Sequence, residues 1–176
     1  MFLTAEVDAD RIDREKEIPP EVIDGLRDMG LFGIKLPTEY GGLGLSQVNY
    51  NRIVPLKMFG TDEQKEKYLP RLAKGEISAF ALTEPGVGSD PSKMTTTAVP
   101  TADGEAYLIN GHKLWISNGP VADLLIVMAR TNDPAEERPE ITAFVVEGQS
   151  DGLTTEHRCD FMGLKGIQNC LLYTSP

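Results

Sequence analysis

Cysteine and histidine are scarce in this chain of 176 residues, with two of each: Cys159 and Cys170, His112 and His157. Two cysteines make no disulfide framework, which fits a reducing compartment. Without a Cys/His cluster there is no donor set for a catalytic zinc. Basic residues are few as well, 17 Lys and Arg against 27 Asp and Glu, for a net charge of −10. That balance argues against a nucleic-acid groove and against docking on an anionic membrane. It leaves open a ligand phosphate held locally by backbone N–H groups. No uninterrupted apolar run is long enough to span a bilayer. Met1-Phe-Leu runs at once into acidic residues, without the pattern of a signal or transit peptide. The expectation is a soluble, intracellular, cytoplasmic protein. An apolar content of 40% supplies a core, and the length suits one large or two small domains.

The first part of the chain reads as helical. Pro19-Pro20 opens a helix, with proline placed in the first turn. Val22, Ile23, Leu26 and Met29 share its apolar face, and Gly30 supplies the stop. The turn Glu39-Tyr-Gly-Gly-Leu-Gly-Leu45 is glycine-rich, but it lacks the strand–turn–helix context and the glycine spacing of a dinucleotide fingerprint. Thr61 and Gln64 can form a capping box for a further helix. Tyr68, Leu69 and Leu72 are its stripe, Gly75 its stop, and Pro70 an expected break or kink. Its charged residues Asp62 to Lys67 read as a solvated face.

The texture changes at Gly75–Ile77, which is the expected domain boundary. Short apolar or alternating runs follow: Ser78–Thr83, Thr95–Val99, Ala106–Asn110, Lys113–Ser117, Leu124–Ala129, Ile141–Glu147 and Leu153–Glu156. Turn signals separate them, Asn110-Gly111 being read as a hairpin turn. Spacers this short leave no room for crossover helices. The fold class is therefore α+β, a helical part followed by an antiparallel barrel or sandwich.

The segment Phe80-Ala-Leu-Thr-Glu-Pro-Gly-Val-Gly-Ser-Asp90 carries chemistry. An apolar strand runs into a turn that Pro85 enforces, and Gly86 and Gly88 let a ligand approach their backbone. In Leu114-Trp-Ile-Ser-Asn-Gly119, Trp115 and Ser117 share one face, an indole beside a hydroxyl, which suits a planar heteroaromatic ring. Each segment alone also reads as a plain turn or a plain core strand.

Together, and in this order, the two segments resemble the flavin site of the acyl-CoA dehydrogenase family. Asp13-Arg-Glu-Lys-Glu-Ile-Pro-Pro-Glu-Val-Ile, Met29-Gly-Leu-Phe-Gly-Ile and Pro37–Leu45 resemble that family's N-terminal helical domain. Phe59–Pro70 is similar to the last helices of the same domain. The resemblance implies a helical domain over residues 1–75, a middle β-barrel flavin-binding domain over 76–169, and a C-terminal four-helix bundle that this chain does not reach. It implies FAD as cofactor, lined by Phe80, Leu82, Thr83, Gly88, Ser89, Trp115, Ile116 and Ser117. Thr83 would hydrogen-bond the isoalloxazine near its reactive nitrogen edge, and Ser89 would also meet the CoA portion of the substrate. The implied reaction removes the α-proton of an acyl-CoA thioester with a carboxylate while the β-hydrogen leaves as hydride, an oxyanion-type effect acidifying the α-carbon. The product is a trans-2-enoyl-CoA, an electron-transfer flavoprotein takes the electrons, and the parent is a homodimer or homotetramer. A flavin oxidase or monooxygenase on the same fold, and a non-catalytic β-domain that binds a partner, are the other readings.

Three departures qualify the resemblance. Val87 stands where the family has a small residue, a branched side chain that could crowd the phosphate loop, with a local adjustment and not loss of the site as the expectation, and Lys93 stands where the family prefers Gly, Ser or Ala. Leu45 and Phe59 are too close, so a helix-sized piece is expected to be missing near residues 53–55. Cys170-Leu-Leu-Tyr-Thr-Ser-Pro176 reads like a translated sequencing-library adapter, so residues 170–176 are expected to be a non-native tail. The family's catalytic Glu lies in the C-terminal domain, so none is assigned here. Glu84 and Asp90 are expected to order the loop, and the two histidines to be ordinary strand or surface residues.

Overall fold

A computed structural model describes residues 7–33, 36–43, 54–132, 138 and 140–174. Gly44 and Leu45 at the end of the glycine-rich turn, the turn at Asp133-Pro134 and residues 46–53 of the short join before Phe59 lie outside the described residues. The chain divides into two compact units: residues up to Ile77 with Asp160–Gln168, and Ser78–Cys159 with the residues from Asn169 on.

The first unit is helical. Helix α1 (Ala9–Glu15) starts at Asp8, whose side chain accepts the Arg11 N–H, and stops at Lys16 in the left-handed region. Helix α2 (Pro20–Asp28) has proline at its start and buries Val22, whereas Met29, placed on the same face by its spacing, is exposed. Helix α3 spans Val54–Phe59 and α4 spans Asp62–Ala73. The Thr61–Gln64 capping box forms in full: Gln64 N–H reaches Thr61 Oγ1 at 3.2 Å and Gln64 Oε1 accepts the Thr61 N–H at 3.0 Å. It satisfies two donors that the helix itself cannot. Pro70 does not break α4. The lost N–H bond affects one turn, and Leu69 and Leu72 on either side of it are both buried. Gly75 ends the segment at φ +106°, where a Cβ would also lie 2.5 Å from Arg27 Cγ. The Asp160–Gln168 stretch is held to this unit by Lys16 with Asp160 and by Lys165 with Asp13 at 3.2 Å. Composition did not mark it as part of the helical unit.

The second unit is a seven-stranded sheet. Its strands are β1 (Ser78–Ala81), β2 (Thr97–Pro100), β3 (Tyr107–Ser117), β4 (Leu124–Arg130), β5 (Ile141–Glu147), β6 (Leu153–Arg158) and β7 (Asn169–Thr174). The order is β1-β4-β2-β3-β7-β6, with β5 also on β4. The pairings β2/β3, β4/β5, β3/β7 and β6/β7 are antiparallel, while β1 and β2 meet β4 in parallel. Strand β4, apolar from Leu124 to Ala129, is buried at all but one position and pairs with β1, β2 and β5. The core gathers Ala79, Ala81, Ile116, Ala122, Leu125, Val127, Cys170 and Leu172.

One expectation changes here. Asn110-Gly111 is no hairpin turn; both residues lie inside β3, whose first part pairs β2 and whose second part pairs β7. The glycine is explained by close approach instead, because a Cβ on Gly111 would sit 2.3 Å from Thr96 Oγ1. Residues 170–174, expected as a tail, continue from Asn169 as β7 between β3 and β6, with Cys170 and Leu172 in the core. Burial pushes the Cys170 thiol up to about 12, which keeps it inert.

Candidate functional site

Strand β1 alternates. Ala79 and Ala81 face the core and Phe80 the opposite side, half-buried. Past its end come Leu82 and Thr83, both half-buried, and then a tight reversal at Pro85-Gly86. Glu84 N–H donates to the Val87 carbonyl at 3.1 Å and Val87 N–H returns the bond at 3.0 Å. Val87 is turned inward and 3% exposed, so its branched side chain packs below the loop and does not crowd it. Gly86, Gly88, Ser89 and Asp90 are exposed. At Gly86 and Gly88 a Cβ would meet no protein atom within 4 Å, and neither has a positive φ. The chain's own packing does not require glycine there, whereas the close approach of a ligand phosphate would. Asp90 caps the short turn Pro91–Lys93 by accepting from Ser92 N–H and Oγ, and these bonds hold its carboxyl below the usual value. Lys93 points to solvent near Asp90.

Strand β3 carries the second segment. Its pairing with β7 matches Lys113 to Leu172 but Ile116 to Cys170, so β3 holds one residue more than its partner over that stretch. This bulge sits at Leu114–Trp115, and Trp115 takes φ +55°, a strained value for a bulky residue, of order 1–3 kcal/mol. Its effect is one of phase. Lys113 and Ile116 both face inward, while Trp115 is turned out and 61% exposed. Regular alternation would have put Trp115 on the inner side with Lys113. From the bulge on, alternation resumes, so Ser117 shares the outer side with Trp115. The Ile116 side chain is in the core at 2% exposure, so only its backbone can serve a ligand. The two segments meet directly: Leu114 N–H donates to the Thr83 carbonyl at 2.8 Å.

Four residues at this junction escaped the sequence reading. Lys113 Nζ lies 2.8 Å from Glu84 Oε1, both side chains being about 2% exposed or less, and also donates to the Leu82 carbonyl at 3.2 Å. Glu84 accepts further bonds from Thr95 N–H at 2.7 Å, Thr95 Oγ1 at 2.6 Å and Thr96 N–H at 3.0 Å. Burial would raise the Glu84 carboxyl, but the Lys113 ammonium and the two threonines outweigh it and hold it down to about 2. Burial lowers Lys113 in turn, and the carboxylate opposes that shift. Asn169 donates through Nδ2 to the Trp115 carbonyl and to Ser117 Oγ, each at 3.1 Å. The one signal available in the sequence was a lysine at an inward strand position. Its partner lies 29 residues away.

The donor set fits a flat ring with a phosphate arm: an outward indole, hydroxyls at Thr83 and Ser117, and an open glycine loop. His112 is exposed, its ring 4.5 Å from that of Tyr173, and His157 is exposed on β6. Among the described residues no His/Cys/Asp/Glu cluster suits a metal, and no helix is long and apolar enough to cross a membrane. A cavity of about 570 Å³ lined by residues such as Tyr107, Phe144, Val146 and Leu153 contains none of these site residues.

Comparison with known proteins agrees with this geometry. Residues 79–175 match the family description "Acyl-CoA dehydrogenase, middle domain", and residues 1–54 and 50–76 match "Acyl-CoA dehydrogenase, N-terminal domain". The chain is 50% identical over 187 residues to the "Probable acyl-CoA dehydrogenase FadE10" of Mycobacterium tuberculosis, covering 93% of this chain and 29% of that protein. It superposes on an acyl-CoA dehydrogenase from Geobacillus kaustophilus with a TM-score of 0.89 at 29% identity, over 99% of this chain and 52% of that one. An acyl-CoA dehydrogenase from Bacillus anthracis, solved in complex with FAD, gives 0.84 at 33% identity over 99% of this chain and 33% of that one. The chain thus spans less than a third of the curated relative's length. Built from helices followed by a sheet that carries both motifs side by side, the chain belongs to the acyl-CoA dehydrogenase family and covers its N-terminal and middle domains.

Proposed function

We propose that this chain is the flavin-ring-binding part of an FAD-dependent acyl-CoA dehydrogenase, whose complete form oxidises an acyl-CoA thioester to the trans-2-enoyl-CoA. The observation that carries the reading is the Thr83–Leu114 bond, which sets the two motif segments side by side with Trp115 turned outward. Phe80, Leu82 and Thr83 would bind one edge of the ring, with the Thr83 hydroxyl as its hydrogen-bond donor. Trp115 and Ser117, with the backbone of Ile116, would cover the other side. Gly88 and Ser89 would receive the phosphate arm, and Ser89 would also meet the CoA portion. FAD, when bound, supplies the acceptor for the hydride that leaves the β-carbon.

The α-proton needs a carboxylate base. Glu84 is unsuited to it, being buried, bonded to four donors and held down to about 2. The family resemblance assigns the base to the C-terminal helical domain, and on that reading the chain alone is expected to be inactive. The N-terminal family match falls in two stretches that meet at residues 50–54, which supports a missing helix-sized piece near 53–55. The helical domain is assigned to residues 1–75 and the flavin domain to 76–169, in an intracellular protein that passes electrons to an electron-transfer flavoprotein and assembles as a homodimer or homotetramer.

The test is anaerobic addition of an acyl-CoA to the purified chain mixed with FAD. Uptake of FAD without bleaching of its absorbance is expected. Bleaching by acyl-CoA alone would mean that the base is within these residues and would overturn the assignment.

A further inference from the structure

The Glu84–Lys113 pair reaches more of the site than either flavin segment does by itself. Lys113 donates from its side chain to the Leu82 carbonyl, and the next residue, Leu114, donates from its backbone to the next carbonyl, Thr83. Two consecutive residues of β3 are thus tied to two consecutive carbonyls at the end of β1, one bond through an ammonium and one through the backbone. On the other side Glu84 gathers Thr95 and Thr96, the residues that lead into β2. One ion pair therefore joins the loop, β2 and β3.

The pair also bears on the direction of Trp115. A lysine at an inward strand position must be paired or be driven out to water. Held by Glu84, Lys113 fixes the inward phase of β3 at 113, and Ile116 fixes it again in the core. The surplus residue between them has to be absorbed as the bulge, and the bulge is what turns Trp115 outward.

We propose that Glu84 and Lys113 are positioning residues that set the spacing and phase between the Thr83 turn and the Trp115 bulge, the two surfaces that would grip the flavin ring. The proposal rests on the flavin reading given above. Neither side chain touches the ring; both act through Thr83 and Trp115. The ammonium on the Leu82 carbonyl also polarises the Leu82–Thr83 peptide, which strengthens that peptide's N–H as a donor.

The deciding variant is the double replacement Glu84→Gln with Lys113→Met in the full chain, which removes both charges and keeps the shapes. The single replacements each strand a buried partner and serve as destabilised controls. Three quantities are read beside thermal unfolding: hydrogen exchange of the Leu114 amide, emission of Trp115, which is the only tryptophan, and the FAD dissociation constant. The double variant is expected to unfold cooperatively near the midpoint of the unaltered chain. It is also expected to exchange Leu114 at least about tenfold faster, to shift its emission and to bind FAD about tenfold more weakly, as loss of a charge-assisted hydrogen bond implies. Unchanged exchange and emission in the folded double variant would overturn the proposal. So would loss of cooperative unfolding, because the pair would then serve the fold as a whole. If the unaltered chain takes up no FAD, the flavin reading falls while exchange and emission still decide the positioning role.

Discussion

Glu84 is the buried residue from which a pH dependence of the loop is expected. Its folded-state pKa, about 2, lies below the ordinary value of 4.5. A depressed carboxyl adds stability above the unfolded pKa and loses it as pH falls through the folded one, here from about 4.5 down to about 2. The span corresponds to about 3 kcal/mol, part of which the burial of Lys113 offsets. The melting temperature of the chain should fall steeply across that window, and Glu84→Gln should flatten the fall. An equally steep fall in the variant would assign the acid sensitivity to other carboxylates. The Thr-Glu-Pro-Gly order was legible as a turn from sequence, because proline and glycine act locally. The ion pair was not, since its lysine comes from another strand. Trp115 and Ser117 were correctly read on one face by alternation. Its reversal relative to Lys113 was hidden, because a bulge exists only in the pairing with β7.

Elements with local signals could be read and those set by tertiary approach could not. The Thr61–Gln64 box needs only three residues of spacing, and both of its bonds form. Pro70 and Asn110-Gly111 carry equally plain local signals that packing overrides. Gly111 is the sharper case, because its lack of a side chain serves the contact with Thr96. Gly111→Ala should therefore lower the urea midpoint by an amount equivalent to about 1–3 kcal/mol, the usual cost of overpacking a close contact. An unchanged or raised midpoint would show that Thr96 gives way freely and that the glycine is incidental.

At the scale of the whole molecule, a helical part followed by strands was visible in the change of texture near Gly75–Ile77. The return of Asp160–Gln168 to the helical unit was not. That stretch is held by charge pairs and by Gly166 against Ile12 and Ile18, contacts between residues far apart in the chain. Strand β7 was missed because residues 170–174 were set apart on their wording alone, although alternate positions of that run are buried. The central claim is that this chain, short as it is beside its relatives, retains the ring-binding face of a flavin site. The most direct measurement is a titration of the purified chain with FAD, followed by the emission of Trp115 and repeated with Trp115→Phe and the flavin absorbance as readout. The account predicts saturable quenching of Trp115 with a perturbed flavin spectrum, and weaker binding in the variant. A cooperatively folded chain that neither quenches nor perturbs FAD would contradict it.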